Sequence, residues 1–244
     1  MLRITWLSAS VQDKAILHDV SMDIHMWKNY CILGKNGSWK SSLAKVIMWH
    51  PSYEVTSGSI ELDGEDVLEM EPNERAEKWI FLAFQSIPEI KWIKVFEFLR
   101  SIYAAKVKEV VTFIKFKKII LPLMQDIHMD KEFLWRDLNV GFSWGERRKL
   151  EVLQIKLLQP TYILLDEIDS WLDVDAFRMV AWLLKDIINA ETSLIIITHL
   201  FTILEHIPVV TVHVFAWGKI KQSWWAELAQ TIQKDWFWEE ILTS

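Results

Sequence analysis

The stretch Gly34-Lys35-Asn36-Gly37-Ser38-Trp39-Lys40-Ser41-Ser42 decides the fold of this chain. Gly34, Lys40 and Ser41 stand at the spacing of the phosphate-loop pattern G-x-x-x-x-G-K-[ST], and Trp39 occupies the position of the second glycine. The apolar run 30–33 ahead of the stretch predicts a strand. Apolar residues at 43, 46 and 47 after it predict one face of a helix. The order strand, loop and helix is the context that a phosphate-binding loop requires.

A loop of this kind holds phosphate with its backbone. Successive N–H groups point at phosphate oxygens, and the helix N-terminus adds the positive end of its dipole. Lys40 is expected to pair with the β- and γ-phosphates of ATP, and the Ser41 hydroxyl to coordinate Mg²⁺. The candidate nucleotide-binding residues are Gly34, Asn36, Gly37, Ser38, Trp39, Lys40, Ser41 and Ser42.

Trp39 is the unusual member of the loop. Glycine at this position lets the backbone approach a ligand closely and take positive φ angles, whereas an indole places a large side chain there. We therefore predict weakened nucleotide binding unless the loop follows a different path. The alternative interpretation is an ordinary turn before a helix, with Lys40 and Ser41 adjacent by chance.

Composition narrows the class of protein. A length of 244 residues suits one α/β domain with an inserted or appended helical part, and a net charge of −6 gives no general basic footprint for nucleic acid. The cluster Lys115-Phe116-Lys117-Lys118 is interpreted as a solvated helix face. Cys31, the single cysteine, is expected to be a small buried residue. Neither a membrane-spanning run nor a leader pattern is visible, so we expect a cytoplasmic protein without membrane insertion.

A second group of functional residues follows the apolar run Tyr162-Ile163-Leu164-Leu165, which ends in Asp166 and Glu167. Ligands of open α/β sheets bind at the carboxyl ends of strands. Asp166 is expected to hold Mg²⁺, directly or through water, and Glu167 to orient or deprotonate the attacking water. The alternative is an acidic pair at a helix start, which the helix dipole also favours.

Two more polar residues follow predicted strands. His199 comes after the buried run Leu194–Thr198, where a sensor of the γ-phosphate is expected. Gln85 follows the short run Ile80–Phe84 and is a candidate Mg²⁺ ligand or water-positioning residue. Either one alone would carry little weight, because a single histidine at a strand end is more often structural.

The rest of the chain alternates strands and helices, which indicates an α/β fold with a mainly parallel sheet. Three apolar strands are predicted late in the chain, and the region from about 86 to 159 reads as helical. The predicted strands are 2–8, 30–33, 60–62 (followed by an Asp63-Gly64 turn), 80–84, 162–165, 194–198 and 209–215. The predicted helices are 71–78, 96–111, 146–158, 176–188 and 225–232.

The order of these motifs resembles that of the ATP-binding cassette (ABC) ATPases. The discriminating feature is a signature-like stretch, Phe142-Ser143-Trp144-Gly145-Glu146, which other phosphate-loop ATPases lack. Gln85 then corresponds to the Q-loop, 163–167 to Walker B, 170–173 to the D-loop, and His199 to the switch histidine. The resemblance implies a P-loop core with an antiparallel β subdomain and a helical subdomain.

Within that family the chain is most similar to the SufC type, the ATPases of iron–sulfur cluster assembly. The similarity rests on 81–85, 97–101 and 166–176, with Ile168-Asp169 where transporter ATPases usually carry a Pro-Thr-like pair. It implies partners similar to SufB and SufD, and a transient homodimer formed on ATP. In such dimers Ser143 and the Gly145 backbone of one copy would contact the γ-phosphate held by the other.

The resemblance also implies the domain organisation. Residues 1–244 are expected to form a single ABC ATPase domain. In it, 1–85 and 160–244 would be the nucleotide-binding core with the β subdomain, and 86–159 the helical subdomain with the signature-like motif.

The chain has 15 tryptophans and only 7 glycines, and the resemblance explains this imbalance. Tryptophan stands where the family pattern predicts glycine at Trp27, Trp39, Trp49, Trp79, Trp92, Trp144, Trp171, Trp224 and Trp225. Three of them, Trp39, Trp144 and Trp171, fall in motifs that face the nucleotide. No aromatic residue near Val11 is available to stack on adenine.

Three functions follow as hypotheses. The first is an ATPase that drives shape changes in a cluster-assembly scaffold. The second is a catalytically impaired interaction subunit, or an engineered variant, with the same fold and a blocked site. The third, the ATPase of a membrane transporter, is disfavoured by Ile168-Asp169.

Overall fold

The computed structural model describes residues 1–78, 80–84, 87–167, 192–200, 204 and 207–225. These residues fall into two compact units. The first contains the described parts of 1–83, 161–167 and 192–225, and the second contains 84 and 87–160. The segments predicted as helices at 176–188 and 226–232 lie outside the described residues.

The first unit is built on a six-stranded sheet in which all neighbours are parallel except the pair at one edge. The three central strands are buried along nearly their whole length, as expected for a sheet covered on both faces. In spatial order the strands are β12 (Lys219–Trp225), β11 (Thr211–Ala216), β3 (Tyr30–Leu33), β10 (Ser193–Thr198), β9 (Tyr162–Asp166) and β6 (Ile80–Ala83). The predicted parallel core sheet is therefore confirmed, and Cys31 is fully buried in it.

A four-stranded antiparallel sheet forms the β subdomain of the same unit, also as predicted. Its order is β2 (Lys14–Ile24), β1 (Leu2–Val11), β4 (Glu54–Leu62) and β5 (Glu65–Asp66). The predicted turn at Asp63-Gly64 joins the last two strands. Strand β2 was not predicted: its residues alternate between buried and exposed from Val20 to Ile24, but a bulge at Asp19, where φ is 51°, shifts that alternation for the preceding residues.

Helix α1 (Lys40–Ile47) follows the phosphate-loop stretch, and its residues Leu43, Val46 and Ile47 are buried as predicted. The short helix α2 (Pro72–Glu77) supplies Arg75, whose guanidinium donates to the carbonyl oxygens of Val46 (3.1 Å) and Ile47 (2.7 Å). These carbonyls lack partners within their own helix. Arg75 therefore caps the C-terminal end of the helix that begins at the loop.

The second unit is mainly helical. It contains α3 (Val95–Val107), α4 (Phe113–Asp126), a 3-10 turn (Lys131–Trp135), α5 (Trp144–Leu158) and two short paired strands, β7 (Ile90–Lys94) and β8 (Asp137–Leu138). The predicted helix 96–111 is too long: α3 ends at Val107, and Lys108 is its left-handed C-cap with φ 54°. Lys115, Lys117 and Lys118 are exposed around a buried Phe116, which confirms the solvated helix face.

The predicted helix start at Trp225 is wrong, because Trp225 is the last residue of β12. This edge strand is mostly exposed and has little apolar pattern. It forms by antiparallel pairing with β11, and its own residues give no signal of that pairing. Among the described residues, no helix has both the length and the apolar character needed to cross a membrane.

His213 is a buried histidine on β11 of the central sheet. Its ring stacks on Tyr30 with centroids 6.2 Å apart, and Nδ1 lies 2.7 Å from Ser223 Oγ. Burial lowers the pKa of His213 to about 4. The imidazole therefore stays neutral in the folded chain at pH values where the unfolded chain protonates it.

We predict that stability falls as the pH drops from about 6.5 towards 4, because only the unfolded state takes up the proton in that window. The loss from this one group amounts to at most about 3 kcal/mol. Urea titrations across the pH range measure it. In His213→Phe, which keeps a ring against Tyr30 but cannot titrate, the pH dependence should be smaller; an unchanged slope would contradict the assignment.

Candidate nucleotide-binding site

The register of three parallel strands brings four predicted site residues, Gly34, Asp166, Glu167 and His199, to the carboxyl ends of neighbouring strands. Thr198 of β10 pairs with Leu33 of β3, and the adjacent Ile197 pairs with Asp166 of β9. The residues that follow these strand ends are Gly34, Glu167 and His199. Pairing in the sheet therefore brings the loop beside the two carboxylates, although 125 residues separate Ser41 from Asp166 in sequence.

The first residue of the loop has no room for a side chain. A Cβ atom on Gly34 would lie 2.1 Å from the carbonyl oxygen of Phe215. The Gly34 N–H donates to the Thr198 carbonyl at 3.3 Å, and the Ser38 N–H closes a turn on Lys35 at 3.2 Å. The loop thus leaves the sheet along a path fixed by its neighbours.

Lys40 is buried, with a side chain only 2% exposed, and its ammonium points back into the loop. Its Nζ donates to the Lys35 carbonyl at 2.9 Å and to Ser38 Oγ at 3.4 Å. Glu167 Oε1 lies 3.7 Å away. A buried cation needs such partners, because transfer out of water is costly. The arrangement holds one positive charge at the centre of the loop.

Ser41 and Asp166 form the closest polar contact of the site. Ser41 Oγ donates to Asp166 Oδ1 at 2.6 Å. Burial raises the pKa of the Asp166 carboxyl, the hydrogen bond from Ser41 opposes that rise, and the neighbouring Glu167 adds to it. A hydroxyl and a carboxylate side by side supply the hard oxygen donors that Mg²⁺ prefers.

Glu167 and His199 stand at the ends of neighbouring strands. Glu167 has a left-handed backbone with φ 47°, and its N–H donates to the Ile197 carbonyl at 2.9 Å. The Nδ1 atom of His199 is buried and has no hydrogen-bond partner within the described part of the chain. A buried imidazole nitrogen without a partner is a group that a ligand can satisfy.

Trp39 does not divert the loop. Its backbone takes the left-handed conformation (φ 75°, ψ 18°) at the N-cap of α1, and its carbonyl accepts from Ser42 (3.1 Å) and Leu43 (3.4 Å). The indole is partly exposed, and Lys14 Nζ lies 5.4 Å from its ring centroid. The backbone therefore follows a glycine-like path while carrying a bulky side chain.

Sequence reasoning missed Gly218, which supports the loop from the β11–β12 turn. Its N–H donates to the Ser38 carbonyl at 3.1 Å, and its own carbonyl accepts from His18 at 2.9 Å. A Cβ here would lie 2.0 Å from the Ile16 carbonyl. The one available signal was a glycine directly after an apolar strand. A pocket of about 110 Å³ beside this turn is lined by Lys35, Asn36, Gly37, Ser38, Phe215, Ala216 and Trp217.

The signature-like residues lie in the second unit. Ser143 is the N-cap of α5: its Oγ accepts from the Glu146 N–H at 3.3 Å, and Glu146 accepts from the Ser143 N–H at 2.6 Å. Trp144, the first residue of the helix, lies under the Arg148 guanidinium at 5.4 Å, and Gly145 has open space around it. Gln85 and the D-loop-like residues 170–173, including Trp171, lie outside the described residues.

Comparison with known proteins identifies the family. Residues 17–170 match the family model described as ABC transporter. The chain belongs to the ABC ATPase family. The cassette is 41% identical to "Probable ATP-dependent transporter slr0075" of Synechocystis, over 99% of this chain and 97% of that protein. It is 36% identical to "Iron-sulfur cluster assembly protein SufC" of Plasmodium falciparum, over 86% of this chain and 62% of that protein.

Solved structures show the same fold. The cassette MJ0796, described as a dimer in a post-hydrolysis state bound to ADP and Pi, superposes with a TM-score of 0.79 over 93% of this chain and 99% of that one, at 16% identity. The predicted fold class is confirmed, and with the family match the chain is an ABC-type ATPase that binds nucleotide.

We predict that Ser41→Ala lowers the stability of the nucleotide-free chain by about 1–3 kcal/mol, because the buried Asp166 carboxylate loses its hydrogen-bond donor. Chemical denaturation measures the loss. In an Asp166→Asn background the same substitution should cost less, since the oxygen atom then carries no charge. Equal costs in both backgrounds would show that the two side chains are not coupled.

Proposed function

We propose that this cassette hydrolyses Mg-ATP as the ATPase subunit of an iron–sulfur cluster assembly complex. The observation that carries the ATPase chemistry is the buried arrangement of Lys40, Ser41, Asp166 and Glu167. It places a cation, a metal-binding pair and a candidate base together beside a helix N-terminus. Phosphoryl transfer depends mainly on positioning and on neutralising charge, which this set provides.

Each residue has a proposed role. The Lys40 ammonium would exchange its contact with the Lys35 carbonyl for the β- and γ-phosphates. Glu167 would accept the proton of the attacking water, and its 3.7 Å separation from Lys40 leaves it close to that charge. His199, whose Nδ1 has no partner within the described residues, would donate to the γ-phosphate.

Ser41 Oγ and Asp166 are the residues of the described chain that would hold Mg²⁺, and Gln85 is proposed as a further ligand. Their fit rests on the 2.6 Å contact and on the raised pKa of Asp166. A buried carboxylate that lacks a full countercharge gains most from a bound cation. When bound, Mg²⁺ neutralises phosphate charge and orients the leaving group.

The cassette is proposed to act as one ABC ATPase domain that pairs with a second copy on ATP. Ser143 and Gly145 of one copy would then meet the phosphates bound by the other copy. The cassette MJ0796, which has the same fold, is described as dimeric. A Cβ on Gly145 would meet nothing within 4 Å, and the residue lies in the first turn of α5, where backbone N–H groups have no acceptor within the helix.

The assembly role rests on the match to SufC and on Ile168-Asp169 after Glu167. Proteins similar to SufB and SufD are the proposed partners. The alternative, a transporter subunit, keeps support from the names of several relatives, including slr0075. An impaired interaction subunit is the alternative that Trp39 favours, because an indole stands where the phosphate-loop pattern has glycine.

We predict that Trp39→Gly binds Mg-ATP at least tenfold more tightly than the parent chain, a gain of about 1.4 kcal/mol. Removing the indole frees the space beside the loop and relieves the left-handed backbone. Isothermal calorimetry measures the affinities, and circular dichroism checks folding. Lys40→Ala in the Trp39→Gly background should abolish the gain. Equal affinities of the parent chain and Trp39→Gly would mean that the indole is accommodated.

The assembly role predicts that a SufB–SufD-type scaffold binds the chain and raises its ATP turnover. We expect a stable complex on size exclusion and a several-fold stimulation in a phosphate-release assay. Glu167→Gln is the matched control: it should bind the scaffold equally and lose turnover by about 10²–10⁴-fold, because it lacks the base. Turnover without any scaffold binding would favour the transporter alternative.

A further inference from the structure

The tryptophans of this chain are unusually exposed to solvent. Tryptophan is normally among the most buried residues by average area. Ten of the 15 belong to the described residues, and none of these ten is buried. An indole that stays partly exposed to water contributes less to the core than a buried one.

Six of the ten also have a left-handed backbone. Their φ angles run from 49° to 75°, and their side chains are 36% to 91% exposed. Residues other than glycine adopt this region in only a few per cent of cases, and bulky ones are outliers there. The six positions are Trp6, Trp27, Trp39, Trp49, Trp92 and Trp217.

Four of these six positions coincide with the glycine pattern of the sequence. Of the nine positions where glycine was predicted, seven are described, and Trp27, Trp39, Trp49 and Trp92 have positive φ. Trp6 and Trp217 were not predicted and were found by their backbone alone. Gly218, next to Trp217, is itself left-handed at φ 75°. Two independent observations, motif position and backbone conformation, therefore point to the same residue type.

Trp135 behaves in the opposite way. It lies outside the left-handed set, and its ring stacks on Phe96 with centroids 5.3 Å apart and on Phe113 at 6.1 Å. Its indole thus takes part in an aromatic cluster of the second unit. Trp135 is thus a tryptophan whose ring packs in the fold, whereas the other six have a strained backbone and exposed rings.

We infer that the protein made in its source cell carries glycine at these six positions and tryptophan at Trp135. A decoding difference accounts for both. The glycine codons GGA and GGG differ from UGA and UGG only in the first base, and the meaning of UGA varies between genetic codes. A gene in which UGA is read as glycine yields tryptophan at those codons under a code that reads UGA as tryptophan. Tryptophan encoded by UGG stays tryptophan under both.

The consequence for the site is direct. With glycine at position 39 the left-handed N-cap of α1 has no side chain, and Lys14 no longer has an indole to cover. The phosphate loop then matches its full pattern. This inference concerns residue identity and does not depend on the proposed partners or on turnover.

Peptide mass spectrometry of the chain purified from its source organism tests the inference. We expect each peptide that spans one of the six positions to have the mass for glycine, and the peptide with Trp135 to have the mass for tryptophan. A tryptophan mass at any of the six positions would contradict the inference that one decoding rule gives glycine at all of them. A glycine mass at position 135 would contradict the inference that the packed tryptophan differs from the six strained ones.

Recombinant variants test the structural basis separately. The chain with Trp6→Gly, Trp27→Gly, Trp49→Gly, Trp92→Gly and Trp217→Gly together should show a rise of several degrees in Tm, because left-handed strain is relieved at five exposed positions. We expect this gain to exceed the loss of the contact between the Trp49 ring and the Arg75 guanidinium, which are 5.5 Å apart. Trp135→Gly should lower Tm. A fall in Tm for the combined variant would show that the exposed indoles stabilise the fold, and would overturn the inference. Trp39 is left out so that the result does not reflect nucleotide binding.

Discussion

The parallel pairing of β10 with β3 on one side and β9 on the other is the constraint on which the site depends. It aligns Thr198 with Leu33 and Ile197 with Asp166, so that three chain segments far apart in sequence end at the same level. Strands buried on both faces tolerate no shift in register, because every side chain is packed. The positions of the loop and the carboxylates are therefore determined by the core.

The second determining feature is the group of charges that this pairing buries. Lys40, Asp166 and Glu167 are all nearly inaccessible, and the ammonium of Lys40 lies 3.7 Å from the carboxylate of Glu167. Taking such charges out of water is costly, so the core must stabilise them in this arrangement. Charged groups held in place before a ligand arrives are what a preorganised site uses to favour a charged transition state.

The sequence was most informative where local pattern and chemistry coincide. The strand, loop and helix around Lys40 and the strand ending at Asp166 were predictable, because a short apolar run followed directly by polar residues is typical of a buried strand that ends at a site. Strands β2 and β12 were not, since a bulge at Asp19 shifts the alternation of β2 partway along the strand, and the edge strand at 219–225 is mostly exposed. The support from Gly218 was equally hidden, because it depends on pairing between distant segments.

Gly218 links two parts of the first unit through its own backbone. Its N–H is bonded to the phosphate loop at Ser38, and its carbonyl to strand β2 at His18. A displacement of the loop by a few tenths of an ångström would lengthen one bond and reorient the other. The hydrogen exchange rates of the Gly218 and His18 amides therefore follow the state of the loop. We expect these rates to fall when a phosphate group holds the loop in place and to rise when the phosphate dissociates.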